Sequence, residues 1–169
     1  MGNSEVGHTN IGAGRVVHQT ITRIAETIRA GKFRLNGALR GAVQAALDGN
    51  SNLHLFGLIG PGGVHASDEH YRELLALAQE MGLPGERVKV HALLDGRDTP
   101  PTSASGFMEK LEGMLAEFGG DIASICGRYW GMDRDQRWNR TEKFWNCMIH
   151  GRGEFSAQSA QEGLRLAVE

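Results

Sequence analysis

Three times after residue 52 the chain repeats one unit: a short apolar run, then a polar or glycine-rich loop, then apolar residues at helical spacing. The runs occupy 53–59, 87–94 and 121–126; each is short, apolar and bounded by turn residues, so each reads as a strand. Ser67 opens the first helical stretch, which carries Tyr71, Leu74, Leu75, Ala78 and Met81 and stops at Gly82. Ser103 opens the second, with Phe107, Leu111, Met114, Leu115 and Phe118 before Gly119-Gly120. Strands joined through helices cross over with one hand, which predicts an α/β fold with a mainly parallel sheet and helices on both faces. Their carboxyl-end loops then share one edge, where open α/β sheets hold ligands.

Upstream, Val16, Val17, Thr20, Ile24 and Ile28 predict one helix over 15–29 that stops at Gly31. Asn36 can cap a second, with Leu39, Val43, Ala46 and Leu47 on one side and Gly49 at its end. A last helix is expected over 156–169.

The three loops carry the candidate chemistry. The first, from Gly60 through Pro61 to Ser67, places the imidazole of His65 just before a helix start, a location suited to an anion. The second sets Asp95 and Asp98 around Arg97 and stiffens its exit with Pro100 and Pro101. The third supplies Arg128, Arg134 and Arg137 within a few residues, and the planar guanidinium fork matches phosphate and carboxylate oxygens. Together they read as a cage for a small anion bearing both groups. Plainer accounts exist: a carbonyl-bonded His65, a local salt-bridged turn of Asp95, Arg97 and Asp98, and Arg128, Arg134, Arg137 and Arg140 as a solvated face paired with Asp133 and Asp135. Trp130, Trp138 and Trp145 read as core or lid packing. Recurrence of His and Arg at equivalent points of successive units favours the cage.

Charge excludes other classes. A net charge of −2 and a pI near 6.4 give no uncompensated basic surface for nucleic acid or anionic membrane. Two cysteines, Cys126 and Cys147, make no disulfide framework, and neither a charged leader nor a membrane-length apolar run is visible, so the expected location is the cytoplasm. At the amino end Ser4 lies between Gly2 and Gly7, which lets the backbone turn and present the hydroxyl at a helix start, either as a helix cap or as a nucleophile once a base or metal activates it.

Four strings carry a resemblance: Met-Gly-Asn-Ser-Glu-Val-Gly-His at 1–8, Asn-Ile-Gly-Ala-Gly-Arg-Val-Val at 10–17, His-Ala-Leu-Leu-Asp-Gly-Arg-Asp-Thr-Pro-Pro at 91–101, and Gly-Arg-Tyr-Trp-Gly-Met-Asp-Arg-Asp at 127–135. They resemble the cofactor-independent (2,3-bisphosphoglycerate-independent) phosphoglycerate mutases over nearly the whole chain. The resemblance implies interconversion of 3-phosphoglycerate and 2-phosphoglycerate in glycolysis through a phosphoserine. It implies Ser4 as nucleophile and as ligand of one of two Mn²⁺ ions, and His65, Arg97, Asp98, Arg128 and Arg134 as the residues that hold the substrate. It further implies that 1–30 belong to an alkaline-phosphatase-like domain plus linker, that 31–169 form a phosphotransferase domain truncated at its C-terminal end, and that the full-length protein is a monomer.

Two departures accompany the match. Gly60-Pro61 stands where the family has Ser-Asp, and no Asp/His cluster in this sequence substitutes for the family's remaining metal ligands. The expected protein is therefore an internal piece of a mutase, inactive alone. The alternatives are a non-catalytic phosphoglycerate or anion-binding module and a metal-dependent phosphatase relative.

Overall fold

A computed structural model of the protein describes residues 4–168. The three predicted strands are β1 (Leu53–Leu58), β2 (Val88–Leu94) and β3 (Asp121–Gly127), and they pair in parallel in the order β1-β2-β3. The crossovers are α4 (Asp68–Glu80) and α5 (Ala104–Phe118). Upstream lie α1 (Ser4–Ala13), α2 (Thr20–Arg29) and α3 (Gly37–Asp48); α6 (Arg128–Gly131), α7 (Trp138–His150) and α8 (Ala160–Val168) follow the sheet.

β2 is the central strand, and Val88, Val90, His91, Ala92 and Leu93 are all buried on it. Burial on both faces explains why it reads as a continuous apolar run instead of an alternation. On one face Leu55, Ile59, Val88, Val90 and Ala92 pack against Val43 of α3, Leu75 and Leu77 of α4, Met108 and Leu111 of α5 and Leu164 of α8. The other face is shared. Toward the carboxyl ends, Leu58 and Leu93 meet Phe144 of α7, with Cys126, Trp130 and Met132 around them. Toward the amino ends the same face carries polar groups, and the Lys89 ammonium meets the Asp121 carboxylate at 2.5 Å.

Register is regular between β1 and β2 and shifts once between β2 and β3. Val90 pairs with Ile122 and His91 with Ser124, so Ala123 is an extra residue in the edge strand. Where the turns after α4 and α5 meet, a Cβ on Gly119 would come within 2.8 Å of the Gly85 Cα, and the Gly119 φ of 89° already disfavours a side chain.

The helix expected over 15–29 is α2 alone and starts late, at Thr20. Gly14, at φ 62°, ends α1, and the Val17 amide donates to Asn10 Oδ1 at 2.7 Å; the chain turns helical again only at Thr20. Asn36 caps α3 as expected, its Oδ1 accepting from the amides of Ala38 and Leu39. Ser67 and Ser103 stand at the starts of α4 and α5 without capping them, and the Ser103 hydroxyl donates back to the Pro100 carbonyl at 2.6 Å. The last helix begins at Ala160 rather than at 156.

Leu77→Ala should cost about 2–5 kcal/mol, because the site is closed on all sides. Leu35→Ala, at a largely exposed position, should change stability by no more than about 0.5 kcal/mol. Urea unfolding followed by circular dichroism compares the two.

Candidate functional site

All three loops leave the same edge of the sheet, as the crossovers require, and they meet through one ion cluster. Arg128 is the first residue after β3. Its Nη1 donates to Asp95 Oδ1 at 2.6 Å and to Asp98 Oδ2 at 2.7 Å. The Asp95 side chain is 5% exposed, Arg128 14% and Asp98 18%. Asp95 follows β2 directly, and its Oδ1 also accepts from the amides of Arg97 (3.1 Å) and Asp98 (3.0 Å), closing the loop as an Asx-turn. The first loop rests on the second: a Cβ at Gly62 would lie 3.2 Å from Asp95 Oδ2. His65 Nε2 comes within 3.9 Å of Asp98 Oδ2.

Burial by itself would raise the Asp95 pKa, but the Asp98 amide, the Arg128 guanidinium and the Arg97 amide together hold it below its ordinary value. Burial likewise works against the Arg128 charge, and Asp98 and Asp95 outweigh it. Because Nη1 takes both carboxylates, Nε and Nη2 of Arg128 are left without a hydrogen bond among the described residues. The carboxylates fix the guanidinium plane, and the remaining edge presents parallel donors to an incoming oxyanion.

Of the sequence candidates, His65, Asp98 and Arg128 come together. Arg97 is exposed on the same loop, and its side chain makes no ion pair among the described residues. Arg134 is exposed on the loop between α6 and α7. That loop is clamped by Asp133, which accepts from the amides of Asp135 and Arg137 and from Arg140 at 3.1 Å. Arg140 also stacks over Tyr129. Of the four arginines in the solvated-face reading, only Arg140 pairs with Asp133 and Asp135 among the described residues, and it is largely buried, whereas Arg134 and Arg137 are the exposed ones. The local turn reading is corrected too: Asp95 and Asp98 pair with Arg128 from another strand, not with their neighbour Arg97. Among the tryptophans, Trp130 packs in the second cluster, whereas Trp138 and Trp145 are exposed. Ser4 is the first residue of α1 by its backbone, while its side chain and residues 1–3 lie outside the described residues.

Gly60 adopts φ 115°, a Cβ there would strike the Phe107 ring at 2.8 Å, and its amide donates to Asp68 Oδ1. Glycine at this position is thus a packing requirement of the turn. Two residues matter more to the site than the sequence indicates. Asp95 is the keystone of the cluster, and the buried Thr99 hydroxyl beside it has no partner among the described residues. An Asp closing an apolar strand two residues before Arg97 is the signal for the first; nothing in the sequence marks the second.

The model of the BPG-independent PGAM N-terminus family matches residues 24–169. The chain belongs to this family. It is 51% identical over its whole length to a 2,3-bisphosphoglycerate-independent phosphoglycerate mutase of Moorella thermoacetica, covering 33% of that protein, and 48% identical to one of Ectopseudomonas mendocina with the same coverage. A solved Leishmania mexicana phosphoglycerate mutase, obtained at low cobalt concentration, superposes with a TM-score of 0.86 and 36% identity over 98% of this chain and 31% of that one. The chain thus spans about a third of the length of the curated relatives it matches, and its parallel α/β sheet is the family's fold. Among the described residues no helix is long and apolar enough to cross a membrane.

Arg128→Ala leaves two adjacent carboxylates without a cation and should cost about 3–5 kcal/mol at pH 7. The Asp95 pKa is lower folded than unfolded, so its contribution is full above its ordinary value of 3.8 and is lost as pH falls through the lowered folded value. Asp95→Asn should therefore lower stability at pH 7 and flatten the acid limb of stability against pH, measured by urea unfolding at several pH values.

Proposed function

We propose that this chain is the phosphoglycerate-holding part of a 2,3-bisphosphoglycerate-independent phosphoglycerate mutase, an isomerase that interconverts 3-phosphoglycerate and 2-phosphoglycerate in the cytoplasm as a step of glycolysis. The supporting observation is the oriented Arg128, with Nε and Nη2 open, together with the exposed guanidinium groups of Arg97 and Arg134, which are unpaired among the described residues. In this reading Arg128 and Arg134 take the oxyanion groups of the glycerate, Arg97 adds charge at the rim, and Asp98 with His65 engages the hydroxyls. Holding the glycerate at several points lets it turn while its phosphate is away, without being lost to water. Ser4 would be the group that carries the phosphoryl between the two hydroxyls.

We assign residues 1–30 to the alkaline-phosphatase-like domain and its linker, and residues 31–169 to the substrate domain. Metal use is part of the proposal, with manganese as the ion. In this reading the chain supplies only one of the ligands, because a single serine oxygen is a poor site for any divalent ion. Catalysis accordingly needs the rest of the polypeptide, and the part assigned to these residues is substrate binding.

Titration calorimetry of the chain with 3-phosphoglycerate, with and without Mn²⁺, tests this. Metal-independent binding is expected, and Arg97→Ala and Arg134→Ala, at exposed positions, should each weaken it about tenfold or more, the size of one lost charge-assisted contact. Unchanged affinity in both variants would remove the arginines from the site. No mutase turnover is expected even with Mn²⁺, and turnover above background would overturn the division of labour.

A further inference from the structure

Two histidines meet on the face of the sheet opposite α4 and α5, and the proposed mutase chemistry uses neither. His91 Nε2 on β2 lies 2.9 Å from His54 Nδ1 on β1, and His91 Nδ1 lies 2.8 Å from Ser124 Oγ on β3. The imidazole centroids are 5.2 Å apart, longer than the N···N contact by about one ring width, and the planes differ by 20°. The rings therefore meet nitrogen to nitrogen, head on. Every atom in these contacts belongs to β1, β2 or β3, and His91 is buried, at 6% exposure.

A neutral imidazole carries one N–H and one bare nitrogen, whereas the cation carries N–H on both. Two neutral rings, or one neutral ring and one cation, satisfy the contact with a single proton between the nitrogens. Two cations would set N–H against N–H, with no acceptor and with like charges in contact. Ser124 closes the other end in each state, since a hydroxyl donates to a bare Nδ1 or accepts from a protonated one. An alanine there would leave His91 Nδ1 unpaired, and the bulge is what puts Ser124 instead of Ala123 opposite His91.

Neighbouring groups leave this logic intact. On the same face of the sheet Lys89 and Asp121 pair with each other, and burial pushes the Cys126 thiol up to about 11, so it stays uncharged. From α7 come Arg140, held by Asp133, Lys143, held by Glu154, and Cys147. From the first loop and α4, His65 and His70 line one cavity with His54; His65 lies near Asp98, and burial holds the His70 pKa below its ordinary value. Burial first and the His54 charge second lower the His91 pKa from its ordinary 6.5.

We infer that His54 and His91 form a one-proton latch between β1 and β2, closed while a single proton lies between the two nitrogens and sprung when acid charges both rings. The latch acts on β1, because a charged His91 goes on donating from Nδ1 to Ser124 while its bond to His54 is lost. β1 leads into the loop that carries His65, so release withdraws support from that loop and leaves Asp95 and Arg128, which join β2 to β3, in place. The stabilisation is full above pH 6.5, where His91 is neutral folded and unfolded. It is lost as pH falls through the lowered folded value, because the unfolded chain takes up the proton first.

NMR of the whole chain labelled with ¹⁵N-histidine, titrated from about pH 8 to about pH 4, reads the charge and tautomer of each ring. His54→Gln and His91→Gln assign the signals. Two steps felt by both rings are expected, the second at least about one pH unit below the first, a tenfold weaker affinity for the second proton. In His54→Gln, where the neighbour carries no charge, the His91 step should move up toward 6.5. Amide hydrogen exchange reads the latch itself. At about pH 5, β1 amides should exchange at least about tenfold faster in the unaltered chain than in His54→Gln, with β3 amides alike in both. His91→Gln serves only for assignment, so the test stands even where that variant fails to fold. Independent single steps on the two rings, a His91 titration that His54→Gln leaves unmoved, or β1 exchange in acid no faster than in that variant, would overturn the inference.

Discussion

Everything at the working edge depends on the parallel pairing of β2 between β1 and β3. A parallel ladder cannot be closed by tight turns, so each strand must be followed by a helix that returns along the sheet. With α4 and α5 packed on one face, Asp95, the first loop and Arg128 are delivered to the same edge although they are some thirty residues apart in sequence. The cost of this topology is a central strand buried on both faces, which is why β2 carries no exposed residue from Val88 to Leu93.

The ion cluster converts that alignment into a defined site. Asp95 accepts three hydrogen bonds with one oxygen: two amides turn its own loop, and Arg128 ties that loop to the end of β3. Three charges at such low exposure would be expensive if unmatched, but each has a partner within 2.7 Å. The cluster holds two carboxylates against one guanidinium. It therefore attracts cations unless the arginines at the rim, Arg97 and Arg134, turn the balance. In the proposed mutase reading, that balance gives those two exposed residues a larger role in anion affinity than their lack of partners among the described residues suggests.

Much of the architecture is legible in the sequence. Apolar runs and their turn residues place all three strands within a residue or so of their ends, and Asn36, Gly49 and Gly82 mark helix termini for local reasons that need no tertiary information. Long-range choices are not legible. Arg97 is the nearest cation to Asp95 and Asp98 in sequence, yet the carboxylates select Arg128, because the Asx-turn points them inward toward β3 while Arg97 faces solvent. The late start of α2 is hidden for another reason. Val16 and Val17 continue the helical period, but Asn10 captures the Val17 amide and Gly14 supplies the left-handed turn, and a hydrogen bond seven residues long has no periodic signature.

The bulge at Ala123 is the extreme case of this limit. Side chains alternate faces along a strand, so one inserted residue decides whether everything after it points up or down. Before the bulge, Ile122 follows the register that puts Val90 in the main core. After it, Ser124 and Cys126 share the face of His91 and Leu93, where α7 closes one half and leaves the other open. The same slip that aligns Ser124 with the two histidines sets which way β3 ends, and hence where Arg128 meets Asp95. The placement of Arg128 beside Asp95 and of Ser124 opposite His91 are thus two consequences of a single insertion. Removing Ala123 would shift both at once, whereas changing Ser124 alone leaves the strand's exit, and with it the ion cluster, in place.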